Sequence, residues 1–276
     1  MMSYKTLMVH MDLEEANDAR LRIAADLAKQ FEAKAIGITA GDFQPMYFLD
    51  GMAGQSFLEQ EAEEIRLRMD KARDHFNASL EGAAREIEWR CKLGNPTTFV
   101  TDECRSADLI ITGGNRSVGA LETMPQFSAA DLAMRAGRPI LLVPPEAERL
   151  NFESVLVAWK DTRETRKAVR DALPLLHMAK QILIVEILEG DRDRADAVVR
   201  VEDVVVWFAR HGITASALVT EKGGSVSQQL RDIAREQRAQ LVIAGAYGHS
   251  RLREWIFGGV TEALLTEALH YSLIAH

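Results

Sequence analysis

A set of glycines in the last quarter of the chain has the spacing of a phosphate-binding loop. Two residues separate Gly245 from Gly248, and nine more separate Gly248 from Gly258, which Gly259 and Thr261 follow. Glycine lets the main chain approach a phosphate closely, and the free N–H groups at a helix start hold its negative charge. The Thr261 hydroxyl can cap that helix or donate to a phosphate oxygen. The spacing therefore predicts an anion site in this loop.

A plainer interpretation of the same glycines stays open. Gly245 could simply end a strand, and Gly258 and Gly259 could simply break a loop. The side chains between them favour the anion site, because His249 and two arginines bring positive charge. His249 is also the one obvious acid or base if the site were that of an enzyme acting on nucleotides.

The segments that must position this loop belong to a sequence pattern that occurs twice in the chain. Asp108–Asn115 and Gln240–Tyr247 are both short apolar runs that stop at a glycine. Upstream of them, Lys5–Asp12 and Ser154–Asp161 form a second pair of similar segments. Two copies in one chain predict two similar domains.

Each copy alternates strands and helices, which predicts parallel sheets with right-handed crossovers. The predicted strands are Tyr4–Met11, Lys34–Ala40, Glu86–Leu93, Leu109–Thr112, Pro139–Val143, Ser154–Trp159, Gln181–Leu188, Thr214–Thr220, Leu241–Ala244 and Ser272–Ala275. The predicted helices are Glu14–Phe31, Ser56–Ala84, one starting at Asn95, Glu122–Arg135, Arg163–Met178, Arg192–His211, Ser225–Gln237 and Thr261–Leu269. The prediction is an α/β protein of two tandem Rossmann-like domains, each a five-stranded parallel sheet sandwiched by helices.

Proline and charge at 144–150 predict a linker between the two domains, because proline cannot extend a strand. The expected domains are residues 1–145 and 152–276. In such sheets ligands bind beyond the carboxyl ends of the strands, so the residues just after the first and fourth strands of each domain are the candidates.

The composition excludes several function classes. A net charge of −8 argues against nucleic-acid binding, and no apolar run reaches the length of a membrane span. The two cysteines have no pairing or metal-ligand pattern, so we expect a cytoplasmic protein with no metal site. No serine has a recognisable His and Asp partner, and no catalytic residue is assigned.

With these motifs, the chain resembles a tandem universal stress protein over nearly its whole length. Nucleotide-binding members of that family carry Gly-x-x-Gly, nine residues, and then Gly-Ser/Thr. Gly245, Gly248 and Gly258 match this pattern, whereas Gly259 stands where serine or threonine is expected. The resemblance implies an adenine nucleotide alpha hydrolase-like fold, and a site in the second domain that also includes His249 and Thr261.

Two more positions follow from the resemblance. The family has an Asp that closes the first strand, near the adenine and ribose. In the second domain that place is taken by Lys160, with Asp161 beside it as the candidate substitute. Val185 is the best counterpart of the hydrophobic residue that lines the adenine pocket late in the second strand.

The first domain departs from the family in the opposite way. Asp12 stands at the position of the strand-closing Asp, and Gly113 matches the first glycine. Arg116 then replaces the second glycine, and Pro125-Gln126 falls where Gly-Ser/Thr is expected. Because proline has no N–H and side chains crowd the approach, we expect no nucleotide binding of the family kind in this domain.

The resemblance implies a cytoplasmic stress-response protein that binds an adenine nucleotide, ATP with or without magnesium, in its second domain. It would act as a sensor or regulator and would be at most a slow ATPase. The alternative is a partner-binding scaffold whose nucleotide site has decayed.

The two domains are expected to pair through their fifth strands, Ile140–Val143 and Leu273–Ala275, which would make the chain a pseudo-dimer. A homodimer of tandem chains is a further expectation. The apolar segment Phe43–Met52 is expected to be an inter-domain or dimer contact, with a lid over the first cleft as the alternative.

Overall fold

A computed structural model describes residues 3–42, 52–114, 127–149, 152–189, 193–246, 260, 263–264 and 270–276. The amino-terminal half alternates strands with helices. Its strands are β1 (Thr6–His10), β2 (Lys34–Gly41), β3 (Glu86–Leu93), β4 (Leu109–Thr112) and β5 (Ile140–Leu142). Its helices are α1 (Asp18–Phe31), α2 (Met52–Leu80), α3 (Pro96–Glu103), a short 3₁₀ turn (Cys104–Ser106) and α4 (Ala129–Arg135).

The carboxyl-terminal half repeats this order. Its strands are β6 (Ser154–Ala158), β7 (Gln181–Leu188), β8 (Ser216–Glu221), β9 (Leu241–Gly245) and β10 (Tyr271–Ala275). Its helices are α5 (Arg163–Asp171), α6 (Leu173–Leu176), α7 (Arg194–Arg210) and α8 (Val226–Glu236). The single helix predicted for Arg163–Met178 is wrong, since it is divided after Asp171. Pro174 explains the break, because it has no N–H to continue the helix and its ring crowds the preceding turn.

The ten strands of the described residues form one sheet in the order β3-β2-β1-β4-β5-β10-β9-β6-β7-β8. The pairs within each half are parallel, whereas β5 and β10 pair antiparallel, with Leu141 opposite Leu273. The expected pairing of the fifth strands is therefore confirmed. Because this central pair is antiparallel, the carboxyl ends of the two sets of strands lie at opposite edges of the sheet. The two candidate ligand sites are thus far apart.

Helices cover both faces of the sheet. On one face, buried side chains of α1, α2, α5, α6 and α7 form a continuous apolar core across both halves. On the other face, α3 and α4 pack on the amino-terminal half and α8 packs on the carboxyl-terminal half. We call these the α5 face and the α8 face. Strands covered on both sides explain the nearly continuous apolar runs in the sequence.

Several expectations of the sequence concern other residues. The segment Phe43–Met52 lies outside the described residues, except for Met52 at the start of α2. No helix among the described residues is long and apolar enough to cross a membrane. Within the same part of the chain, no group of three or more His, Cys, Asp or Glu side chains is placed to hold a metal ion.

Candidate functional site

The carboxyl ends of β6, β7 and β9 lie side by side at one edge of the sheet. Ala158, at the end of β6, pairs with Val185 on one side and with Ala244 on the other. Val185 is buried on the α8 face, in the cluster that Ala158 also contacts. Gly245 ends β9 at the same edge. The strand registers therefore bring Val185 and Gly245 to the two sides of β6.

The remaining glycine-loop candidates are not part of the described residues. They are Gly248, His249, Gly258, Gly259 and Thr261.

Asp161 lies in the turn after β6 and is about half exposed. Its Oδ1 is 2.5 Å from the Arg166 guanidinium on α5. The preceding residue, Lys160, donates from Nζ to Glu189 Oε2 at 3.0 Å. This hydrogen bond holds the pKa of Glu189 below its usual range, and Lys222 adds to the effect from 3.7 Å. The edge thus carries two lysines around one carboxylate.

Gly245 has a structural reason to be glycine. A methyl group there would lie 2.5 Å from the Thr165 amide nitrogen and 2.8 Å from the Glu164 carbonyl carbon. These are main-chain atoms of the first turn of α5, which cannot move aside easily. The close approach of α5 to β9 therefore accounts for this glycine without any ligand, in line with the plainer interpretation of the sequence.

The corresponding strand ends of the amino-terminal half, at the opposite edge of the sheet, are built differently. The registers make His10 the counterpart of Ala158, and Thr112 the counterpart of Ala244. His10 Nδ1 is 3.0 Å from Thr112 Oγ1, and the imidazole stacks on Phe127 with ring centroids 3.8 Å apart. Larger side chains thus fill the space that two alanines border in the other half.

The His10 imidazole is held neutral by its surroundings. Burial is the main cause that lowers its pKa to about 3, and the nearby Arg20 guanidinium lowers it further. Arg20 is itself buried and donates to the main-chain oxygens of His10 and Ala16. Asp12 opposes the shift only in part. This edge is therefore occupied by the chain's own side chains.

Asp12, which matches the family's strand-closing Asp, forms hydrogen bonds with residues close to it in the sequence. Its Oδ1 accepts the backbone N–H groups of Glu14 and Glu15 at 2.8 and 3.1 Å. Its own N–H donates to Asn17 Oδ1 just before α1. Asp12 therefore shapes the turn that leads into the helix.

The registers also revise one equivalence taken from the sequence. Ile140 corresponds to Ser272, and the same number of residues separates Gly113 from Ile140 as separates Gly245 from Ser272. Phe127, rather than Gln126, is thus the counterpart of Gly259. The equivalence taken from the sequence is wrong by one residue, because it matches the predicted first residues of the two last strands rather than the residues with the same pairing partners.

Sequence reasoning missed the roles of Glu189 and Lys222 at this edge. Each is the first residue after its strand, β7 and β8 respectively. Inspecting the residue that follows every predicted strand, rather than only the first and fourth, would have found both. Their meeting with Lys160 depends on strand register, which the sequence alone does not specify.

Comparison with known proteins agrees with this architecture. Residues 151–270 match the model of the universal stress protein family. A universal stress protein from Archaeoglobus fulgidus DSM 4304 aligns over 98% of this chain and 97% of its own, with a TM-score of 0.72 and 12% identity. A protein of unknown function from Pseudomonas aeruginosa PAO1 aligns over 99% and 92%, with a TM-score of 0.59 and 14% identity. No curated protein sequence matches the chain.

A universal stress protein in complex with cAMP aligns over its full length with 52% of this chain, at 24% identity and a TM-score of 0.34. The two alignments that span the whole chain establish the fold, and the family model identifies the second half. The chain therefore carries a universal stress protein domain over residues 151–270 and has the tandem, two-domain fold of universal stress proteins through both halves.

Proposed function

We propose that the carboxyl-terminal half binds an adenine nucleotide, ATP with or without magnesium, at the carboxyl edge of β6, β7 and β9. The base would lie over Ala158 and Val185, and the phosphates would lie in the loop that starts at Gly245. The protein would act as a cytoplasmic stress sensor or regulator. Any hydrolysis would be slow, because no base for the attacking water is assigned among the described residues.

One observation carries this proposal, and it is a difference between the halves. Ala158 and Ala244 border the edge in the second half, whereas His10 and Thr112 fill it in the first. An adenine ring needs an open, largely apolar cleft. The Phe127 ring already stacks on His10 in the first half. We therefore assign nucleotide binding to the second half alone.

The alternative is a partner-binding scaffold with a decayed site. This alternative is supported by the close packing of β9 against α5, which explains why residue 245 is glycine without any nucleotide. Lys160 and Gly259 also depart from the family pattern. Under this alternative the chain binds no nucleotide at all.

Titration of the whole chain with ATP by calorimetry, with and without magnesium, separates the two proposals. The decisive variant combines Ala158→His with Ala244→Thr, which copies the pair of the first half into the second. We expect this variant to lose ATP binding. Gly248→Val, which crowds the glycine loop, should also lose it. Ala217→His on β8, an exposed position of the same half, is the matched control and should bind as the wild type does.

Three results would speak against the proposal. Binding of ATP by the double variant as tightly as by the wild type would move the site elsewhere. If neither the wild type nor any variant releases heat below millimolar ATP, the partner-binding scaffold remains as the function. Phosphate release that is fast in the wild type and lost in His249→Ala would instead favour an enzyme.

A further inference from the structure

Three charged side chains meet at the edge of the proposed nucleotide site. Lys160, Glu189 and Lys222 follow the adjacent strands β6, β7 and β8. Glu189 Oε2 is 3.0 Å from Lys160 Nζ, and Glu189 Oε1 is 3.7 Å from Lys222 Nζ. All three side chains are 40–46% exposed, so water or a ligand can reach them. Two cations share one carboxylate, which leaves one positive charge at this point.

Continued past the strand ends, the alternation of side chains directs the cluster to the α8 face, the same face as Val185. Successive residues of a strand point to opposite faces. Ala158 contacts the α8-face core, Trp159 belongs to the α5-face core, and Lys160 returns to the α8 face. The same alternation from Ile187 brings Glu189 to that face. The lysines are therefore beside the surface on which the base would lie.

The end of β9, where the glycine loop begins, and the lysine cluster are on different sides of β6. The loop begins after β9, whereas the cluster spans β6 to β8. Strands in a sheet are about 4.8 Å apart, so β9 and β7 are separated by about 10 Å. A ligand that uses both groups needs two separate anionic parts. In dinucleotide-binding folds an acidic residue selects a free ribose hydroxyl, and a basic residue accommodates a phosphate on it.

We propose that the site takes an adenine nucleotide with a phosphate on its ribose, at the 2′ or 3′ position, in addition to the phosphate at the 5′ position. Lys160 and Lys222 bind the ribose phosphate, and Glu189 holds both lysines in place until it arrives. The inference rests on the proposed function, since it names the class of nucleotide that this site prefers.

The test compares isomers that carry the same two phosphates. ADP has both in one chain, whereas adenosine 3′,5′-bisphosphate and adenosine 2′,5′-bisphosphate have one on the ribose. Calorimetry of the whole chain should give at least one bisphosphate a Kd about tenfold lower than that of ADP, the change expected for a charge-assisted hydrogen bond. Comparison of the two bisphosphates assigns the position.

Variants link the preference to the cluster. Lys160→Met and Lys222→Met should each remove most of the preference while ADP still binds. Glu189→Gln should strengthen bisphosphate binding, because it removes the competing carboxylate, whereas damage to the fold would weaken it. Lys180→Met is the matched control, since Lys180 pairs with Glu153 at the opposite edge of the same half. It should leave every Kd unchanged.

The outcomes distinguish this inference from the function on which it rests. If ATP, ADP and both bisphosphates all fail to bind, the proposed function fails. If ADP binds as tightly as both bisphosphates, the function stands and the ribose-phosphate inference is overturned. A preference that survives in both lysine variants also overturns it, because the lysines then do not bind the second phosphate.

Discussion

The His10 imidazole stacks on the Phe127 ring, with centroids 3.8 Å apart and an angle of 19° between the planes. In the other half, Ala158 stands in place of His10, and the sequence has Gly259 in place of Phe127. One half thus fills its strand ends with an aromatic pair, while the sequence of the other half has two of the smallest residues at the corresponding positions. This difference in side-chain packing can be tested through stability as well as through binding.

His10 should make the protein less stable in mild acid. The folded chain keeps this imidazole neutral down to a pKa of about 3, whereas the unfolded chain protonates it near 6.5. The unfolded state therefore binds the extra proton between these values, and stability falls as the pH drops through this window. The loss is about 1.4 kcal/mol per pH unit, or about 2 kcal/mol from pH 6.5 to pH 5.

Urea unfolding at pH 6.5 and pH 5 measures this loss. His10→Gln is the reference, because glutamine does not titrate and can still bond to Thr112. The wild type should lose about 2 kcal/mol more than the variant over this interval. Equal losses in the two proteins would show that His10 is already protonated, or exposed, in the folded state.

Two equivalent glycines should respond differently to the same change. Gly245→Ala brings a methyl group to 2.5 Å from the Thr165 amide nitrogen, so α5 must shift, at a cost of about 1–3 kcal/mol. Gly113→Ala meets only the Arg20 guanidinium at 3.7–3.8 Å, which is ordinary contact. We expect it to change stability by less than about 0.5 kcal/mol. Thermal unfolding of both variants checks the difference, and equal effects would contradict the packing explanation.

Much of the fold could be predicted because buried parallel strands leave a plain signal. Glu86–Leu93, Leu109–Thr112 and Gln181–Leu188 have the predicted bounds, since each is an apolar or alternating run that ends at polar residues or glycine. The break before α6 was missed because the helical pattern continues through Pro174. A periodic pattern records which face is buried, and it does not record the local effect of one missing N–H.

The candidate site was predictable only in part. The glycine spacing is local in sequence, so it could be found without a structure. The Lys160–Glu189 contact joins residues that follow two different strands, and it depends on a register that no local pattern specifies. The filling of the first edge by His10 and Phe127 likewise joins residues more than a hundred positions apart.

The two cysteines should differ sharply in reactivity. Cys91 is exposed on β3, whereas Cys104 is buried and its Sγ donates to the Thr101 carbonyl oxygen at 3.0 Å. Burial raises the pKa of the Cys104 thiol, which reduces the reactive thiolate further. A disulfide reagent at pH 8 should modify one thiol per chain quickly and the second only on unfolding. Cys91→Ser should remove the fast phase, and a remaining fast phase would show that Cys104 is accessible.

Tyr4 and Tyr271 should give opposite results when their hydroxyl groups are removed. Tyr4 Oη donates to the Asp171 carbonyl oxygen at 2.6 Å and so links the two halves. Tyr271 is also buried, and its hydroxyl finds no hydrogen-bond partner among the described residues. Burial raises the pKa of Tyr271 to about 12, so the group stays neutral at physiological pH.

Tyr4→Phe should therefore lower the free energy of unfolding by about 1–2 kcal/mol, because the partly buried Asp171 carbonyl loses its donor. Tyr271→Phe should leave it unchanged or raise it by up to about 1 kcal/mol, since no bond is lost and a polar group is removed from the core. Urea unfolding of both variants at pH 7 measures the two effects under the same conditions. A loss at Tyr271 as large as that at Tyr4 would mean that its hydroxyl is hydrogen-bonded in solution.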